Sequence, residues 1–106
     1  MELTDLYDVE DKVIALTGGA GVLCSEMARR LGELGAKIAV LDIAEDKLEE
    51  VGSDLEELGV DYLTIKTDVL DKKSLQKAAA KIMETYGRVD ILISGAGGNK
   101  AEATTG

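Results

Sequence analysis

The sequence contains no proline, tryptophan, phenylalanine or histidine, and only one cysteine in 106 residues. Each absence excludes something. Without phenylalanine or tryptophan the core must be aliphatic, and the 45% hydrophobic content is ordinary for a globular chain. A lone Cys24 cannot close an intrachain disulfide, and with no histidine available no metal site is expected. Positive charge is scarce: 12 Lys and Arg stand against 21 Asp and Glu, for a net charge of −9. Nucleic acid and anionic membrane are therefore not expected as partners, since neither meets this charge with a cationic surface. No apolar run approaches the roughly 18 residues of a membrane span, and the opening MELTDLYDVEDK lacks the basic and apolar regions of a signal peptide. A cytoplasmic, reducing environment is the expectation.

What the chain does have is glycine, 12 in all, and its placement is ordered. Residues 12–29 read KVIALTGGAGVLCSEMAR. An apolar run over 13–16 stops at Thr17, and Gly18, Gly19 and Gly21 follow. A segment with helical apolar spacing comes next: Val22, Leu23, Met27, Leu31 and Leu34. Strand, tight glycine turn and helix, in that order, bring backbone N–H groups and the positive end of a helix toward a phosphate.

The same unit recurs. Apolar runs at 13–16, 38–41, 62–65 and 89–93 suit strands buried on both faces of a parallel sheet. Between them, Leu48, Val51, Leu55 and Leu58 mark one amphipathic helix, and Leu75, Ala79, Ile82 and Tyr86 another. Gly35, Gly59 and Gly87 follow the helical stretches, where a left-handed C-terminal cap favours glycine. Asp71 suits an N-cap, and Glu45 and Asp46 suit a first helical turn. The predicted architecture is α/β, a Rossmann-like parallel sheet built β-α-β-α-β-α-β with strand order 3-2-1-4. The sheet is expected to occupy 1–106 without a linker.

Several positions could carry chemistry. Nothing reads G-K-[ST], so the glycine turn is not that of a triphosphate-binding P-loop. Asp42 closes the second run at roughly the 20-residue spacing of a ribose-binding acid, and Ile43, Ala44 and Glu45 after it offer no arginine for a 2′-phosphate. NAD is thus favoured over NADP. Asp68, before Val69, either faces an adenine amino group or holds the turn before Asp71. Ser94-Gly95-Ala96-Gly97-Gly98-Asn99 ends the fourth run, and its small residues would share a crevice with the first glycine turn. Tyr62 and Lys66 match a Y-x-x-x-K pattern. On a strand, however, four residues span about 13 Å, so the lysine could not support the tyrosine. Cys24, in the first helical turn with no base beside it, reads as a small packed residue.

These residues resemble the short-chain dehydrogenase/reductase family over 12–103. The family opens T-G-x-x-x-G-x-G, places an acid after the third strand and ends the fourth in N-N-A-G. Thr17-Gly18, Asp42, Asp68-Val69 and Ala96-Gly97 fall at matching places. Val22 and Cys24 stand where the pattern has its second and third glycines, and Ser94-Gly95 replaces the asparagine pair. The wording TGGAGVLCSEMA with SGAGGN looks like the D-mannonate (fructuronate) oxidoreductases, which reduce a sugar-acid ketone with NADH. The resemblance implies an NAD site formed by Thr17, Gly18, Gly19, Gly21, Val22, Leu23, Asp42, Ile43, Asp68, Val69, Ala96 and Gly97.

It also implies that 1–106 are the truncated half of a doubly wound domain, with a catalytic serine, tyrosine and lysine beyond the fourth strand, so none is assigned within these residues, and the chain alone is expected to be inactive. Two functions follow: the cofactor-binding portion of an NAD-dependent oxidoreductase, or a non-catalytic nucleotide-binding or oligomerisation module. In the second, an open fourth strand would pair with another copy or with a missing C-terminal half. A receiver-type signalling domain is disfavoured, because Thr17-Gly18 stands where it needs clustered acids.

Overall fold

Two of the four apolar runs form the centre of the sheet. A computed structural model describes residues 9–18 and 21–95. In it β1 (Val13–Thr17) is buried throughout and β2 (Lys37–Asp42) at all but its end residues. β3 (Tyr62–Lys66) and β4 (Ile91–Ser94) flank them in the order β3-β2-β1-β4, with every neighbouring pair parallel. This is the expected Rossmann-like order. Thr17 lies opposite both Leu41 and Ser94, and Asp42 opposite Lys66, so all four strands finish along one edge.

Alternation along the strands sends side chains to two faces, and each face has its own helices. Ile14, Leu16, Ile38 and Val40 pack against Ala28 of α1 (Val22–Glu33) and against Leu48, Val51 and Leu55 of α2 (Glu45–Glu57). Val13, Ala15, Ala39 and Leu41 meet Ala78 and Ile82 of α3 (Lys72–Tyr86) on the other side. Each fully buried Leu or Ile contributes on the order of 1.5–3 kcal/mol. Leu55→Ala, at a site with no exposure, would cost about 2–5 kcal/mol.

The outer strands depart from the continuous burial that their apolar sequence suggested. Leu92 is 64% exposed, because it pairs with Ala15 on the face where, among the described residues, α3 is the one helix, whereas its neighbour Ile93 packs with the α1–α2 core. β4 also starts later than expected, at Ile91, leaving the half-exposed Val89 outside it.

Two helices bury different stripes from those read in the sequence. In α1 the inward residues are Ala28 and Gly32, with Cys24 and Leu31 beside them, while Val22 and Leu23 are 82% and 79% exposed. In α3 Ala78, not Ala79, is buried beside Ile82. Small residues allow the closest approach: a β-carbon on Gly32 would stand 2.7 Å from both methyls of Val60. In α2, Leu48, Val51 and Leu55 face inward, with Leu58 partly exposed past the helix end.

Helix ends follow the sequence more closely. Asp71 Oδ1 accepts from Lys73 N–H at 3.0 Å, and Glu45 and Asp46 occupy the first turn of α2. Gly35, Gly59 and Gly87 adopt φ of 100°, 74° and 81°, the left-handed region that ends a helix without a β-carbon clash.

Side chains stitch the amino edge of the sheet. Val13 N–H donates to Asp90 Oδ2 at 2.8 Å, Arg88 Nε donates to the same oxygen at 2.8 Å, and Arg88 Nη2 reaches Asp11 O at 3.0 Å. The backbone donor from Val13, followed by the Arg88 guanidinium, holds the Asp90 carboxyl below its ordinary range. Tyr86 Oη donates to Asp61 Oδ1 at 2.8 Å, and partial burial together with that acceptor pushes the phenol above its usual value.

Candidate functional site

At the opposite, carboxyl edge the chain turns rather than pairs. Leaving β1, Gly18 donates its N–H to Leu41 O at 2.7 Å and takes φ 67°, which a side chain would strain. Its carbonyl accepts from Gly21 N–H at 3.2 Å, closing a tight turn. Gly21 is extended, and a β-carbon there would stand 3.4 Å from Gly18 O, so the turn depends on Gly18 more than on Gly21. The first hydrogen bond of α1 runs from Ser25 N–H to Gly21 O, and no side chain caps the helix. The N–H groups of its first turn therefore point out of the helix, as helix geometry requires.

Asp42 ends β2. Its Oδ1 accepts from Ala44 N–H at 2.9 Å and its carbonyl accepts from Thr67 N–H at 2.8 Å, joining the turns after β2 and β3. Ile43 beside it is 58% exposed. After β3, buried Thr67 donates Oγ1–H to Ile65 O at 2.9 Å. Asp68 Oδ1 accepts from Leu70 N–H at 3.0 Å, and Asp68 O accepts from Asp71 N–H at 3.0 Å. Asp68 thus holds the turn before Asp71, one of its two readings, while remaining at the strand edge that the other requires. Asp68 N–H donates to Ser74 Oγ at 2.8 Å. Ser74 was not singled out in the sequence.

These turns surround an open cleft of about 450 Å³, within the size range of small-molecule sites. Gly18 lines it from β1, Asp42 and Ile43 from β2, Thr67, Asp68, Val69 and Leu70 from β3, and Gly95 from β4. Of the crevice expected between the first turn and 94–99, the described part is Gly18 and Gly95, with Gly95 N–H donating to Thr17 O at 2.7 Å. Thr17 itself is buried beneath the turn. Val22 and Leu23 lie on the adjoining first turn of α1, outside the lining. Gly19, Ala96 and Gly97 lie outside the described residues. Leu70, 93% exposed and on the cleft wall, was missed in the sequence.

The Y-x-x-x-K pair lies at the two ends of β3 and has no joint role. Tyr62 Oη donates to Glu56 Oε1 at 3.1 Å, and Lys66 Nζ approaches Glu45 Oε1 at 3.8 Å. Burial and Glu56 raise the Tyr62 phenol, the reverse of what an acid catalyst needs. Among the described residues no group of three His, Cys, Asp or Glu could hold a metal, and no helix is long and apolar enough to cross a membrane.

A parallel sheet whose first turn is glycine-led, with acids ending the second strand and following the third, defines a Rossmann-type nucleotide-binding protein. The family model for short chain dehydrogenases matches residues 12–105, and the chain belongs to that family. The uncharacterized oxidoreductase UxuB of Bacillus subtilis is 43% identical over 94 residues, covering 89% of this chain and 34% of the relative. A structure of a candidate D-mannonate oxidoreductase from Haemophilus influenzae with bound NAD superposes with a TM-score of 0.82 at 35% identity, over 94% of this chain and 36% of that one. NAD+-bound xylitol dehydrogenase gives a TM-score of 0.77 at 28% identity, over 80% of this chain and 33% of its own. The chain spans about a third of the length of the relatives it matches. NAD-bound members of the family support a nicotinamide dinucleotide as cofactor.

Proposed function

We propose that this chain is the dinucleotide-binding part of an NAD-dependent oxidoreductase that interconverts a carbonyl and a hydroxyl on a sugar acid or similar polyol. The observation that carries the proposal is the cleft at the carboxyl edge, which joins Gly18, Asp42-Ile43 and Asp68-Val69 beside the uncapped start of α1. The donor set fits the cofactor. Backbone N–H groups of Val22 and Leu23, in the first turn of α1, suit a pyrophosphate, Asp42 suits ribose hydroxyls, Asp68 suits the adenine amino group, and Ile43, Val69 and Leu70 offer apolar walls to the ring. Thr17, Gly19, Gly21, Ala96 and Gly97 complete the set as neighbours in sequence. When bound, the nicotinamide supplies or accepts hydride; these residues bind and orient it.

Preference for NAD over NADP rests on Asp42, whose carboxylate repels a 2′-phosphate, with no arginine at Ile43, Ala44 or Glu45 to offset it. The sugar-acid class is supported by the candidate D-mannonate oxidoreductase among the similar structures. Residues 1–106 form the adenosine-side half of the domain, and the serine, tyrosine and lysine of the family belong to the other half. The open edge of β4 is suited to pairing with a strand of that half.

Calorimetric titration of the full gene product with NAD, NADP and ADP-ribose tests the binding reading. NAD and ADP-ribose should bind, with NADP weaker. Equal affinity for NADP would remove the role given to Asp42, and no binding of any of the three would end the proposal. NADH oxidation by the full gene product with a panel of sugar-acid ketones tests the substrate class. The 106-residue chain alone should show none.

A further inference from the structure

Gly95, just past β4, and Cys24, the third residue of α1, compete for one position. A β-carbon on Gly95 would collide with Cys24 Sγ, while standing 3.2 Å from Thr17 O and 3.7 Å from Cys24 Cβ. The thiol therefore fills the volume that any side chain at 95 would need. Cys24 is partly buried and packs with Ile93 against the α1–α2 core, so its contact with Gly95 ties the first turn of α1 to the end of β4. Gly95 also lines the cleft together with Gly18. The two departures from the common pattern, a side chain at 24 and none at 95, become a single exchange of volume between helix and strand in a close-packed interior.

We propose that Cys24 is a positioning residue that sets the spacing between the first turn of α1 and the end of β4, and with it the width of the cleft between Gly18 and Gly95, with Gly95 as its required partner. The consequence for binding rests on the dinucleotide reading; the packing pair does not. With a single χ1 and three staggered wells, the thiol has few ways to yield.

The test is a double-mutant cycle in the full gene product, read by Tm and by NAD affinity. Gly95→Ala should lower the Tm by about 2–8 °C and weaken NAD binding about tenfold, the usual scale of an overpacked contact. Cys24→Ala should cost less than Gly95→Ala. The double variant Cys24→Ala with Gly95→Ala should regain most of both losses, because the remaining β-carbon separation of 3.7 Å is an ordinary contact; the 3.2 Å approach to Thr17 O leaves a residual deficit. Cys24→Ser with Gly95→Ala should recover less than the double alanine variant, since Oγ points toward the same volume on a shorter bond. If Gly95→Ala is insoluble, recovery of soluble protein in the double variant supports the proposal, and insolubility of both overturns it. Additive effects, or a Gly95→Ala variant as stable as the parent, also overturn it. Failure of the parent protein to bind NAD while the Tm coupling persists would sink the dinucleotide reading and the width-setting role together, leaving a packing pair.

Discussion

The two edges of the sheet are built differently. At the amino edge, side chains bridge elements far apart in sequence: Asp90 to Val13, Arg88 to Asp11, Tyr86 to Asp61. At the carboxyl edge, Asp42, Thr67 and Asp68 each hold a backbone group only two residues away. The Lys66–Glu45 ion pair there is long and exposed, a kind worth about 0–1 kcal/mol. At one edge side chains fasten distant elements together; at the other, where backbone bonds join the strand ends, they shape short turns around a cleft. Under the proposed function, the long-range side-chain bonds and the binding cleft fall at opposite ends of the same strands.

That division can be tested from its strongest expected effect downward. Gly18→Val places a branched side chain at φ 67° in the cleft wall. It should abolish measurable NAD binding, a loss of at least about 100-fold, while the left-handed strain of about 1–2 kcal/mol lowers the Tm only modestly. Unchanged affinity in calorimetry would mean that the glycine serves the turn alone. Asp42→Asn should narrow the preference for NAD over NADP by about tenfold, on the scale of one hydrogen bond to a charged group, with little change in Tm.

At the amino edge the readouts reverse. Asp90→Asn should lower the Tm and leave NAD affinity unchanged; a change in affinity instead would break the comparison. The Asp90 carboxyl is depressed in the folded protein, so its contribution is present above the ordinary value of 3.8 and is lost as pH falls through the depressed one. The variant should therefore lose less stability than the parent when acidified below about pH 4. Tyr86→Phe is the smallest. The folded phenol titrates above 10.0, so its contribution is complete below that value and fades as pH rises beyond it. Unfolding curves at neutral pH and above pH 10 should converge for parent and variant on the alkaline side.

Much of this organisation was legible in the residues, and where it was not the reason is physical. Apolar runs and capping glycines located every strand and helix of the described residues, because a buried strand and a left-handed helix end each restrict which residue types can stand there. The inward face of α1 was misread because hydropathy weights Val22 and Leu23, whereas the buried residues are Ala28 and Gly32, which carry little apolar weight; in α3, hydropathy has no means of choosing between Ala78 and Ala79. Leu92 and Val89 looked buried because a continuous apolar run does not say how many helices cover each face. At the candidate site, Gly18, Asp42 and Asp68 were found from spacing, and the cleft brings them together. Leu70 and Ser74 needed the turn itself, since neither residue type is distinctive there.

The pairing of β1 with β4 has a further consequence, for the order of events as the chain folds. β1–β2 and β2–β3 each join strands separated by a single helix, whereas the bond from Val13 to Asp90 closes a separation of 77 residues. Loop-closure entropy grows with the logarithm of that separation, and non-local contacts are rewarded only after it has been met. The β1–β2–β3 unit can therefore assemble first as a local nucleus, with β4 docking onto it late. Residues that fasten β4, Asp90 and Arg88 among them, then act chiefly on the rate of unfolding rather than on the rate of folding.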